Sequence, residues 1–196
     1  DVGQRELDAR RAQLAQRCDR GVDCGRDLRM AAVAEVLLRQ PDAKARELLT
    51  YLRGVCRPDR HWTNERVVVF TEYRDTQRWL AALLRQEGMD APHVAQLHGG
   101  VAGDDREQLR LAFQADPTEH PVRILLATDA ASEGIDLQRH CHRLVNYDIP
   151  FNPNRLEQRN GRVDRYGQQR EPTIRYLYLA GTFEERLLLR LIAKYE

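Results

Sequence analysis

The sequence predicts an α/β domain of three layers, a mostly parallel central sheet covered on both faces by helices, preceded by a helical extension. Two observations carry that expectation. From Arg66 onward, short β-rich runs alternate with amphipathic helical runs, the pattern of a parallel sheet whose crossovers are helices. Residues 1–40, by contrast, are rich in Arg, Ala, Leu and Gln and contain no strand signal. Glycines at Gly21 and Gly25 divide that extension into two expected helices.

Pro41 punctuates the end of the extension, and the domain proper is expected over 41–196. Asp42 is suited to cap a helix whose apolar positions Ala45, Leu48, Leu49 and Leu52 share one face. The expected strands are Val67 to Phe70, Val94 to Leu97, Ile124 to Ala127, Leu144 to Tyr147 and Ile174 to Leu179. Between and after them, helices are expected from Asp75 to Gln86, Asp104 to Ala115, briefly near Ala130, from Leu156 to Arg162 and from Phe183 to Tyr195. No internal repeat interrupts this order.

Composition narrows the function classes. Hydrophobic residues make up 42% and charged residues 31% of the 196 positions, which suits a globular chain with a well-charged surface. No apolar run approaches the roughly 20 residues that span a bilayer, so no membrane partner and a cytoplasmic setting are expected. A net charge of +1 excludes a uniformly basic coat, so contact with nucleic acid has to come from a local patch. Cys18, Cys24, Cys56 and Cys141 form no C-x-x-C pair, and His140 and His142 flank Cys141 on a segment where neighbours point to opposite sides. No metal site is expected.

Ligands of such sheets gather at the carboxyl ends of the strands. There the sequence carries Thr71-Glu72-Tyr73, His98-Gly99-Gly100, Thr128-Asp129-Ala130 and the stretch from Asp148 to Asn154. Further along, Gln158 to Gln168 reads QRNGRVDRYGQ. Arg162 and Arg165 are three apart, and on a helix both guanidinium groups would leave from one side. Paired forks of permanent charge are what a polyphosphate requires. The bland alternative is a solvated basic face, but Gly161 and Gly167 interrupt the helix where no surface face needs them.

The stretch from Ala127 to Asp136, ATDAASEGID, and the stretch from Gln158 to Gln168 resemble motifs V and VI of superfamily-two helicases, in that family's order and separation. The ending Asp164-Arg165-Tyr166-Gly167-Gln168 is similar to the Swi/Snf-type branch, including its bacterial RapA-like translocases. The lead-in from Tyr147 to Glu157 resembles that branch's D-x-P-W-N-P, with Phe151 in place of tryptophan. Weaker likenesses join Val67 to Tyr73 with motif IV and Leu97 to Gly100 with motif IVa. The resemblance covers residues 42 to about 195, and residues 1–40 correspond to a helical linker or the end of an insertion between two lobes.

The resemblance implies a RecA-like fold and the second motor lobe of an ATP-dependent DNA helicase or translocase. It makes Arg165 the arginine finger on the γ-phosphoryl group, Arg162 a second phosphate-directed arginine, and Gln158 a relay beside them. Gly134 and Asp136 would face the nucleotide ribose, while Thr71, Gly99 and Thr128 would hold the phosphodiester backbone without reading sequence. The implied partners are DNA, held as a duplex, and an N-terminal RecA-like lobe. ATP and Mg2+ would be bound mainly by that first lobe, because this sequence contains neither G-x-x-x-x-G-K-[ST] nor an Asp-Glu pair closing an apolar strand. The chain opens on Asp1 and closes in an unfinished helical pattern, so a piece of a longer, bacterial enzyme is expected, inactive by itself. The alternative is a nucleic-acid-binding module that kept the fold and lost catalysis; retention of Arg162, Arg165 and Gln158 weighs against it.

Overall fold

The computed structural model describes residues 41–131 and 137–193. The expected helices of residues 1–40, the ribose-facing pair Gly134 and Asp136, and the last turn expected up to Tyr195 lie outside them. The elements run α1 (Ala43–Cys56), β1 (Val67–Thr71), α2 (Arg74–Gln86), β2 (Val94–Leu97), α3 (Gly103–Gln114), β3 (Ile124–Thr128), β4 (Arg143–Asn146), α4 (Pro153–Asn160), β5 (Thr173–Tyr176) and α5 (Phe183–Ile192). Short 3-10 turns at Pro58–Arg60 and Asp129–Ala131 complete the order.

The five strands form one sheet in the order β2-β3-β1-β4-β5, and every pairing is parallel. β1 lies at the centre, with Val67 opposite both Ile124 and Arg143. All residues of β1 and β3 are buried, as expected where both faces of a strand are covered.

Alternation along the strands sorts the core into two layers. On one face Val67, Val69, Leu126 and Val145 meet Leu48, Leu49 and Leu52 of α1 and Leu80 and Leu84 of α2. On the other, Val68, Phe70, Leu125 and Leu144 meet Phe113 of α3 together with Leu137, Cys141 and Val163. A third cluster joins α4 and α5 through Ile149, Leu156, Leu188 and Leu191. The fold is the expected three-layer α/β architecture with a parallel central sheet.

Two departures from expectation are informative. β5 stops at Tyr176 rather than Leu179: it is the edge strand, and beyond Leu177, whose N–H reaches Asn146 O at 2.9 Å, the run has left the ladder. α4 starts three residues early and ends two residues early, at Pro153 and Asn160. Asn152 caps its start by accepting the N–H of Asn154 at 3.0 Å, and Pro153 occupies the first turn, where its missing N–H costs nothing.

Candidate phosphate-facing site

The carboxyl ends of β1, β3 and β4 deliver Thr71, Asp129 and Asp148 to one pole, and α4 inserts Arg159 among them. Arg159 is 1% exposed. Its Nε donates to Asp129 Oδ1 at 2.6 Å and its Nη2 to Asp129 Oδ2 at 2.9 Å, a fork on one carboxylate. Nη2 also reaches Asp148 Oδ1 at 3.2 Å, while Nη1 donates to Asn146 Oδ1 at 3.2 Å and Asp148 O at 2.9 Å. The guanidinium lies over the Phe70 ring, 5.7 Å from its centroid. Burial works against its charge, but Asp129 and Asp148 outweigh burial and hold the guanidinium above its ordinary pKa. The cation is therefore fixed.

Asp148 completes the tie to β1. It accepts the Thr71 hydroxyl at 2.6 Å and the Glu72 N–H at 2.9 and 3.0 Å. Asn146, fully buried, donates to Asn160 Oδ1 at 3.3 Å, and Asn160 donates to the Tyr176 hydroxyl at 2.8 Å. At the rim, Arg155 pairs with Glu72 at 3.0 Å and stands 3.9 Å from Asp129. On the neighbouring edge, buried Gln77 of α2 donates to the carbonyls of Leu97 at 2.9 Å and Leu126 at 2.8 Å, bridging the end of β2 to the middle of β3.

The segment after α4 departs from the expected geometry. The helix ends at Asn160, so Arg162 and Arg165 do not project from a helix face. They sit on a turn in which the N–H groups of Val163 and Asp164 both return to Asn160 O, at 3.1 and 3.0 Å. Gly161 forms the helix cap, where a Cβ would lie 3.3 Å from Glu157 O. Val163 is fully buried and anchors the turn from beneath. Gln168 closes it by donating to Val163 O at 2.8 Å and Cys141 O at 3.0 Å, and the preceding Gly167 takes φ +93, where a side chain would be strained. Arg162 is half-buried, its Nε shielded and without a hydrogen-bond acceptor among the described residues, and Arg165 is exposed.

The other sequence-designated residues divide by exposure. Gln158 is exposed on α4. Gly99 is exposed after β2 and packs beside Ala130, whose Cβ lies 3.5 Å from where a Gly99 Cβ would be. Thr128 is buried at the end of β3, and Thr71 is buried with its hydroxyl engaged by Asp148. Among the described residues no group of three or more His, Cys, Asp and Glu side chains could hold a metal ion.

A family model described as the helicase conserved C-terminal domain matches residues 43–167. The chain belongs to that family. This helicase C-terminal domain is 37% identical over 131 residues to the uncharacterized ATP-dependent helicase YqhH of Bacillus subtilis, covering 67% of the chain and 22% of that protein. It is 37% identical over 125 residues to the RNA polymerase-associated protein RapA of Yersinia enterocolitica, covering 64% of the chain and 12% of that protein. The chain thus spans about a fifth or less of the length of these curated relatives. Among solved structures, the C-terminal part of the Fun30 ATPase domain superposes with a TM-score of 0.64 at 23% identity, over 76% of this chain and 44% of that one, a likeness of fold. The Swi/Snf-type, RapA-like resemblance of the sequence stands.

Within the helicase C-terminal domain, Arg159 is the residue that sequence reasoning passed over. It lies inside the arginine-rich stretch, where charge alone does not separate it from its surface neighbours. One signal was available: Arg159 follows Leu156 by three residues, which puts it on the apolar, inward face of α4. Its partners Asp129 and Asp148 lie 30 and 11 residues away, and that pairing is tertiary.

Proposed function

We propose that this domain is the second motor lobe of an ATP-dependent DNA translocase of the Swi/Snf type, acting in the cytoplasm on duplex DNA. Residues 41–196 form the lobe, and residues 1–40 are the linker or insertion that leads into it. A first RecA-like lobe binds ATP, and closure of the two lobes brings Arg162 and Arg165 to its phosphates. Water then attacks the γ-phosphorus, the bond to the β,γ-bridging oxygen breaks, and ADP and phosphate leave. Arg165 stabilises the charge that develops on the transferring phosphoryl group, Arg162 holds a neighbouring phosphate oxygen, and Gln158 orients the hydrogen bonds beside them.

Gly134 and Asp136 face the ribose in this reading, and Gly99 and Thr128 contact the phosphodiester backbone. Thr71 serves that contact by fixing Asp148, since its hydroxyl is already engaged. ATP brings Mg2+, whose chemistry would be neutralisation of phosphate charge; among the described residues this lobe offers no cluster of His, Cys, Asp and Glu ligands. This chain without a first lobe does not hydrolyse ATP.

One observation carries the reading. The arginine-bearing turn follows directly on Arg159, whose carbonyl accepts the Arg162 N–H at 3.0 Å, and Arg159 belongs to a buried ion network that unites the carboxyl ends of three strands. A passive binding module has no need of that attachment. The test is DNA-stimulated ATP hydrolysis by the protein carrying both lobes. Arg165→Ala is expected to slow it by roughly 10³-fold or more, as for an arginine finger. An unchanged rate would transfer support to the binding-module alternative.

A further inference from the structure

α2 begins immediately beyond the end of β1, and its first residue, Arg74, is exposed. Its guanidinium turns toward the loop that follows β2: Arg74 Nη1 lies 3.5 Å, and His98 Nδ1 3.4 Å, from the point where a Cβ on Gly100 would stand. Arginine, imidazole and a bare backbone thus meet at one spot. Among the described residues Arg74 makes no ion pair, whereas nearby Arg78 is 3.5 Å from Asp75. Gln77, one turn into the same helix, holds the last residue of β2, Leu97, to β3.

The protonation state of His98 follows from its partners. Its Nδ1 accepts the N–H of Gly100 at 3.2 Å. Burial, then the nearby charges of Arg74 and Arg78, depress its pKa below the ordinary histidine value. At neutral pH the ring is uncharged with its proton on Nε2, a hydrogen-bond donor. Arg74 supplies a charged fork, His98 a neutral donor, and the glycine pair room for close approach.

We infer that Arg74 and His98 form a clamp on a single backbone phosphate of duplex DNA beside Gly99. This rests on the nucleic-acid reading above and adds to it two side chains with different physical roles. Arg74 displaces a condensed counterion from the DNA; neutral His98 adds a hydrogen bond and displaces none. The contact positions the duplex and reads no base.

The test is duplex-DNA binding by the protein carrying both lobes, measured from 50 to 200 mM salt. Arg74→Ala should reduce the magnitude of the slope of log K against log salt by about 0.9, so the affinity ratio of wild type to variant falls about 3.5-fold across that range. Arg74→Lys should keep the slope and lose part of the affinity, because the charge remains and the fork does not. His98→Ala should weaken binding equally at every salt concentration. Arg60→Ala, an equal charge loss in the turn that precedes β1, should leave the slope unchanged. The clamp is overturned if Arg74→Ala keeps the wild-type slope, or if Arg60→Ala lowers it as much. If wild-type protein shows no salt-dependent duplex binding, the nucleic-acid reading itself fails and the clamp fails with it.

Discussion

Arg159→Met tests the ion network at its centre. The substitution keeps roughly the length and volume of the side chain and removes five hydrogen bonds along with the charge. Asp129 and Asp148, 16% and 18% exposed, then lose their principal cation. Breaking a buried ion pair from one side costs about 3–5 kcal/mol. The residual exposure of both carboxylates, and Arg155 at 3.9 Å from Asp129, place this case at the low end, about 3 kcal/mol. That is a large share of the 5–15 kcal/mol of a typical domain. With a urea slope of about 2 kcal/mol/M, the unfolding midpoint should fall by about 1.5 M. Arg159→Lys should recover part of the loss by keeping charge without the fork. Equilibrium urea unfolding followed by circular dichroism reads both variants. A midpoint shift below about 0.3 M for Arg159→Met would refute the claim that this network holds the strand ends together.

Two further outcomes are expected. Burial pushes the Glu65 carboxyl up, but its hydrogen bonds from Arg143 and Arg170 outweigh burial and leave its pKa below the usual value. A depressed folded-state pKa means stability present above the unfolded value and lost as pH falls through the folded one. Glu65→Gln should therefore destabilise by about 1–2 kcal/mol at pH 7, and the difference from wild type should shrink as pH falls below the ordinary carboxylate range in thermal melts; a pH-independent difference would contradict the assignment. Separately, burial pushes the Cys56 and Cys141 thiols up to about 12. Peptide mass spectrometry after alkylation at pH 8 should find both unmodified in folded protein and modified in urea; labelling of either in the folded state would contradict their burial.

The sheet is legible from its central strands, because β1 and β3 are apolar runs buried throughout, and burial on both faces leaves a run like Val67-Val68-Val69-Phe70 no other stable place. β5 was overextended because Tyr178 and Leu179 continue the β-rich composition, and composition carries no information about where a neighbouring strand ends. α4 was misplaced for a different reason. Asn152-Pro153 is a helix-start signal, and the expected start at Leu156 leaves it unused. The spacing of Arg162 and Arg165 implies a helix face, but they stand on a turn pinned by Val163 and Gln168, which depends on contacts with Cys141 and the sheet. Asp129 and Asp148 were visible as strand-end residues, but their common cation was not, because charge pairing across the sheet has no periodicity.

The Gln168 closure bears on mechanics. A loop that carries a force-bearing side chain can act as a spring, absorbing displacement before the body behind it moves. Here the turn is bolted through Val163 into the packed core and strapped by Gln168 to the backbone just ahead of β4, and protein interiors are nearly incompressible. Under the proposed motor-lobe reading, a push delivered at Arg165 would pass into the sheet with little slack, and the stroke length would be set by how far the lobes close rather than by how far the turn bends.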